Sequence, residues 1–202
     1  YRANILPQLG QKTAVQLTVT IKYKANETIS SSKKLTIQLA PLSQETIDRE
    51  KLLIQKVRAA LFDGMKGENT SPDAITKDLH SFQEVYLDEN NELVWVYDVK
   101  EVTGMGLVPG DIPGYDPMAF YSGGWRTFRS SNEAVITHES LHVNRPEQTT
   151  KVKVDCSLES ERFTRYWTQF TEAGNTTEAE KWKDFAPQAM ELELTVLGTS
   201  VD

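Results

Sequence analysis

Cysteine is almost absent: the 202-residue chain holds one, Cys156. A single cysteine closes no internal disulfide and builds no cysteine-based zinc cluster. It fits a reducing compartment, and it fits bacterial surface proteins equally. Set in an alternating apolar stretch, Cys156 reads as a small buried hydrophobe rather than a reactive thiol. Long apolar runs are missing too. The densest segment, Lys51-Leu52-Leu53-Ile54-Gln55-Lys56-Val57, is cut by charge and is far too short to span a bilayer. Positive charge is in deficit, with 22 basic residues against 29 acidic and a net charge of −7. That sign repels phosphate backbones and anionic membrane surfaces, so neither nucleic-acid binding nor membrane insertion is expected. No Gly-rich phosphate loop, dinucleotide fingerprint or nucleophile elbow occurs, and no cofactor is implied. The opening Tyr1-Arg2-Ala3-Asn4 has neither an initiator Met nor a signal-peptide pattern, which predicts a mature protein or a piece of a longer one.

What is present is ordinary globular material, 39% apolar and 25% charged, enough to bury a core without covalent staples. Period-two alternation comes first. Val15, Leu17, Val19, Ile21 and Tyr23 alternate with Gln16, Thr18, Thr20 and Lys22, which predicts a half-buried strand. Ala25-Asn26-Glu27 and Ser30-Ser31-Ser32 read as turn, and Leu35, Ile37 and Leu39 alternate again. Two strands are not a domain. They either pair with later strands or close a domain whose front lies elsewhere. Ser43 then caps a predicted helix with Ile47, Leu52, Leu53, Val57, Ala60 and Leu61 at helical spacing, stopped by Gly64 or Gly67.

Strand signals dominate the rest. Segment 83–97 predicts a hairpin around Asp88-Glu89-Asn90-Asn91, with apolar residues on both faces of 93–97, as in the middle of a sheet. Further strands are expected at 125–128, 134–136, 141–144, 152–158 and 192–196, and Thr177 with Glu180 predicts a capping box for a short helix. Between them, residues 103–124 concentrate six of the 11 glycines and three of the eight prolines. Such a long insert is expected to be packed down by its own aromatics or to serve in binding. Many short strands separated by turns predict an all-β sandwich decorated with two or three helices.

Several stretches in one order carry a resemblance. They are Lys66-Gly67-Glu68-Asn69-Thr70-Ser71, then Ile75-Thr76-Lys77-Asp78-Leu79, then Trp125 through Ile136 with Ser130-Ser131-Asn132 inside it. Arg145-Pro146 and Thr150-Lys151-Val152-Lys153-Val154 follow. Together, over roughly residues 45–200, they resemble the atrophied bacterial immunoglobulin-like domains. The chain departs from that pattern in having Glu133 where Pro is usual, and in the long insert before Trp125. The resemblance implies an Ig-like β-sandwich over 43–202, with an N-terminal helix and the insert 103–124. Residues 1–42 would be the closing strands of a preceding repeat, or the edge of the same sandwich. It implies a secreted or cell-wall-attached protein of Gram-positive bacteria, outside the cell, with neighbouring domains of the same chain as partners. It implies a structural or ligand-presenting role and no enzymatic activity, since fold does not fix function.

Two other readings rest on specific residues. The insert brings Asp111, Tyr115, Asp116 and Tyr121 together in sequence. Acids beside aromatics suit a contact to an extracellular glycan or protein, and suit a self-packed loop as well. The second reading is His138-Glu139-Ser140-Leu141-His142, which matches the zinc-hydrolase pattern His-Glu-x-x-His. On a helix, His138 and His142 would share one face and bind Zn²⁺ while Glu139 activates a water, with Glu159 or Glu161 as the third ligand. A capping box from Ser130 to Glu133 would start that helix. Arg145-Pro146 would end it almost at once, and Ile136, Leu141 and Val143 suit strands. Strand, turn, strand is therefore the expected state of 134–143. Asp88-Glu89-Asn90-Asn91-Glu92 offers oxygen ligands for Ca²⁺ but lacks the Gly and distant Glu of an EF-hand loop, so a hairpin turn is expected. Trp95 and Trp125 are expected in the core, Trp167 and Trp182 partly exposed. Asn26, Asn69 and Asn175 each head a glycosylation acceptor triplet.

Overall fold

The computed structural model describes residues 9–39, 41–82, 84–97, 128–160 and 163–200. The chain divides into two compact units, Tyr1–Arg49 and Glu50–Asp202.

In the first unit the alternating stretches form a long antiparallel hairpin, β1 (Thr13–Tyr23) and β2 (Asn26–Leu39). Thr13 pairs with Leu39 and Val15 with Ile37, and the register runs unbroken until it shifts between Lys22 and Tyr23. The tri-serine stretch, expected as turn, is strand instead. Ser30, Ser31 and Ser32 pair with Lys22, Ile21 and Thr20, and the turn is confined to Lys24 and Ala25. Opposite strands give those serines a ladder that their own turn propensity does not. The expected half-burial is not reached. Among the described side chains of these strands only Val15 is buried, while Leu17, Val19, Ile21, Leu35 and Ile37 are exposed. Helix α1 (Gln44–Ala59) follows, and the unit boundary falls inside it. Ser43 caps it as predicted, its Oγ accepting the Thr46 amide at 3.1 Å.

The second unit carries the core. Along α1, Glu50, Leu53, Ile54 and Val57 are buried. The short helix α2 (Leu61–Met65) continues from α1 and buries Leu61 and Met65. A two-stranded antiparallel sheet pairs β3 (Glu84–Leu87) with β4 (Leu93–Val96). The middle-of-sheet expectation for β4 is not met among the described residues, where it pairs with β3 and Val96 alone along it is buried. Its second apolar face packs by rings instead, Trp95 lying 4.6 Å from Phe82 centre to centre.

A three-stranded antiparallel sheet joins β5 (Arg129–Ser130), β6 (Thr150–Leu158) and β7 (Gln188–Val196). Period two is strict in β6, where Val152, Val154, Cys156 and Leu158 are buried and the intervening residues exposed. The expected strands at 134–136 and 141–144 shrink to one antiparallel bridge, Ile136 to Val143. Between β6 and β7 come α3 (Phe163–Glu172), α4 (Thr176–Lys181) and a 3-10 turn at Lys183–Phe185. Phe163, Tyr166, Trp182 and Phe185 form one aromatic cluster, with Tyr166 and Trp182 stacked at 4.4 Å. Trp182 is thus buried, not partly exposed. The cap of α4 is Asn175, whose side chain accepts the Glu178 amide, two residues before the expected Thr177.

The architecture is mixed α and β. Among the described residues, seven strands lie in three small antiparallel sheets, with four α-helices, and no sheet closes on itself. No helix among them is long and apolar enough to cross a membrane.

Candidate functional site

The three histidines of the chain sit in two segments, 67–80 and 137–143, that meet backbone to backbone. Gly67 opens the first with φ +54°. A Cβ there would stand 2.7 Å from the Asp78 carbonyl oxygen, so glycine is required by both conformation and space. Asn69, 5% exposed, pins the segment. Its amide nitrogen donates to the carbonyls of Lys66 (2.8 Å) and Lys77 (2.9 Å), and its oxygen accepts the amides of Thr76 (3.0 Å) and Lys77 (3.1 Å). Further along, the Ile75 amide donates to the Thr195 carbonyl and the Thr195 amide to that of Pro72, docking the segment on β7. The Leu79 amide donates to Leu141 at 3.2 Å.

Residues 137–143 form a turn, not a helix. The Thr137 amide donates to the His142 carbonyl, and Thr137 Oγ1 accepts the His142 amide at 3.0 Å. Glu139 and Leu141 have φ of 57° and 55°, a left-handed conformation no α-helix contains. The Glu139 amide donates to Phe128, which ties the turn to the strand before it. Leu141 is fully buried, and that burial holds its backbone in place.

Each imidazole is engaged separately. His138 Nδ1 accepts the Ser130 amide at 2.9 Å, so its ring proton lies on Nε2, 3.6 Å from the Glu133 carboxylate. His142 Nδ1 lies 2.9 Å from Asp78 Oδ2, and Asp78 Oδ1 accepts the Val143 amide at 2.8 Å. The Val143 amide, then the His142 hydrogen bond, hold the Asp78 carboxyl below the usual aspartate range, against a small opposing effect of burial. The zincin arrangement needs both rings on one helical face. Here the helix is replaced by the turn, with Glu139 exposed on it. Among the described residues no three His, Cys, Asp or Glu gather as a metal-binding group. Glu159 is half-buried just past β6, and Glu161 lies outside the described residues.

The signature stretches behave alike. Ser131 Oγ accepts the Lys153 amide while the Ser131 amide donates to the Lys153 carbonyl, extending β5 along β6. Arg145 Nε donates to the Leu197 carbonyl at 3.0 Å, and its Nη2 donates to Gly198. A Cβ on Gly198 would sit 2.6 Å from the Glu147 carbonyl oxygen. These side chains satisfy backbone groups that no sheet partner reaches.

The remaining expectations resolve simply. In the hairpin turn, Asp88 Oδ1 accepts the amides of Asn90 and Glu92, both at 2.8 Å. The Lys56 ammonium reaches the Asn91 carbonyl and Glu92, so a cation of the chain itself already lies at the expected Ca²⁺ ligands. Cys156 is a buried free thiol whose pKa burial pushes far up. The Nδ2 of Asn69, the atom a sugar would join, already donates to backbone carbonyls, whereas the exposed Asn175 uses its Oδ1 on the Glu178 amide. Asp111, Tyr115, Asp116, Tyr121 and Trp125 lie outside the described residues. The Asp78 latch is what sequence reasoning missed. Its signal was the position of Asp78 within a motif stretch, but its partners are 64 and 65 residues away.

Comparison with protein-family models, with curated proteins and with solved structures finds no match.

Proposed function

We propose that this chain is a non-enzymatic structural or ligand-presenting module of a secreted or cell-wall-attached bacterial surface protein, built as an Ig-like sandwich. One observation supports it most. The residues that carry the resemblance, Asn69, Asp78, Ser131 and Arg145, each turn a polar side-chain atom onto a backbone amide or carbonyl. Side chains used in that way hold backbone segments together, which supports a structural role over chemistry on a substrate. The bacterial surface setting comes from the resemblance alone.

The test is the metal content and hydrolytic activity of the purified chain, with His142→Ala as control. The module reading expects no stoichiometric zinc and no peptidase activity. One equivalent of zinc, lost in the variant together with peptide hydrolysis, overturns it.

A further inference from the structure

The outer edge of β7 is open over its first part. Lys153 of β6 points its backbone away from β7. Its carbonyl accepts the Ser131 amide at 2.8 Å, and its amide donates to Ser131 Oγ at 2.9 Å. Glu193 lies opposite Lys153. In an antiparallel ladder such a pair turns its backbone groups outward on both strands. The next outward residue agrees. The Thr195 amide donates to the Pro72 carbonyl at 2.8 Å, and the Thr195 carbonyl accepts the Ile75 amide at 2.9 Å. Period two then puts the amides and carbonyls of Ala189, Glu191 and Glu193 on that same outer edge. Residues 72–75 fill the edge at Thr195 and Val196. Before Thr195, the outward amides and carbonyls have no hydrogen-bond partner among the described residues. Ala189, Glu191 and Glu193 are all exposed. They leave about 14 Å of ladder unpaired.

The side chains along the edge select what can pair there. A second copy of β7 fits badly. The antiparallel register that uses the whole open stretch sets Glu191 against Glu191 of the other copy, and like charges directly opposite destabilise a sheet. Basic residues fit well, and the strand that β7 already holds shows the pattern. β6 reads Thr150-Lys151-Val152-Lys153-Val154. Lys153 binds Glu191 at 2.8 Å and Lys151 binds Glu193 at 2.5 Å, while Val152 and Val154 are buried opposite Leu194 and Leu192. A carboxylate has room for a second donor. Between the two glutamates, on the other face of the strand, Leu192 is half-buried.

We propose that the outer edge of β7, from Ala189 to Glu193, is a strand-addition site for an extended peptide segment in which lysine or arginine alternates with apolar residues. Backbone pairing holds the segment, Glu191 and Glu193 select its basic residues on the exposed face, and Leu192 meets an apolar residue on the other. The site stands on β7 itself and does not depend on the module reading.

The probe is a peptide with the sequence of Thr150–Asp155, Thr-Lys-Val-Lys-Val-Asp, capped at both ends and added to the full chain at about 1 mM. Without peptide, the amides of Ala189, Glu191 and Glu193 exchange at least ~10-fold faster than those of Met190, Leu192 and Leu194, which face β6. Peptide slows the outward amides at least ~10-fold and leaves the inward ones unchanged. The same peptide with glutamate at both lysine positions has no effect. Glu191→Pro removes an outward amide and no bond to β6, so it abolishes the slowing. Should that variant not fold, Glu191→Gln/Glu193→Gln keeps the backbone intact and weakens peptide binding at least ~5-fold. Outward amides as protected as the inward ones in the chain alone mean that another part of the chain lies on the edge, and overturn the proposal. Protection that grows with protein concentration in the absence of peptide assigns the edge to a second copy and also overturns it. Equal slowing by the lysine and glutamate peptides, or none by the lysine peptide, rules out the basic partner.

Discussion

Asn69 holds its segment through hydrogen bonds to backbone groups. It is 5% exposed and joins carbonyls and amides from Lys66 to Lys77. Replacing it with alanine leaves several buried peptide groups unpaired, so Asn69→Ala lowers unfolding stability by about 3 kcal/mol in urea titrations. Asp78 acts at the surface and its contribution is pH-dependent. Its pKa is depressed in the folded chain by the Val143 amide and then by His142. The unfolded state therefore binds the proton more readily as pH falls. Stabilisation by Asp78 is full above the ordinary aspartate range and is lost as pH drops through the depressed folded value. The stability difference between the parent and Asp78→Ala is about 1 kcal/mol at pH 7 and disappears as pH falls through the depressed folded value, read from urea midpoints. A difference that persists at low pH contradicts the latch. Cys156, buried with its thiolate disfavoured, reacts with a thiol reagent only as fast as the second unit opens.

Elements are decided by caps and by what packs against them. Asn175 caps α4 through the Glu178 amide, while Thr177 lies exposed inside the first turn. Asn175→Ala costs about 1 kcal/mol and Thr177→Ala less than about 0.5, measured by thermal melts. The reverse order would restore the capping box expected from sequence. In α2, a Cβ on Gly64 would fall 2.5 Å from the Trp95 ring. Gly64→Ala displaces that ring from Phe82, and the near-ultraviolet signal of the tryptophan changes with it. The hairpin β3–β4 was readable from sequence, since the Asp88 turn and the alternation around it are local. The single bridge at Ile136 and Val143 was not. Two left-handed residues, Glu139 and Leu141, interrupt what composition reads as strand, and neither is glycine or asparagine.

At the scale of the whole molecule, two units with different cores imply two stabilities. All four tryptophans, Trp95, Trp125, Trp167 and Trp182, belong to the second unit. Tryptophan fluorescence therefore follows that unit alone, while far-ultraviolet circular dichroism also follows β1–β2. The two urea transitions do not coincide, with the hairpin signal lost first. Coincident transitions would mean that the chain unfolds as one body.

The sequence alone determined the local items: the alternation of β1, β2, β6 and β7, the Ser43 cap and the Asp88 hairpin. Each depends on residues within a few positions of one another, where side-chain period and turn chemistry are decisive. The turn within 134–143 was expected from sequence; tertiary structure decided that the strands flanking it shrink to one bridge, with Leu141 buried and Asp78, 65 residues away, fastening the Val143 amide. It alone decided that equal alternation in β1 and β6 leads to exposure in one and burial in the other. Period states which residues share a face; only the rest of the fold provides something to cover it.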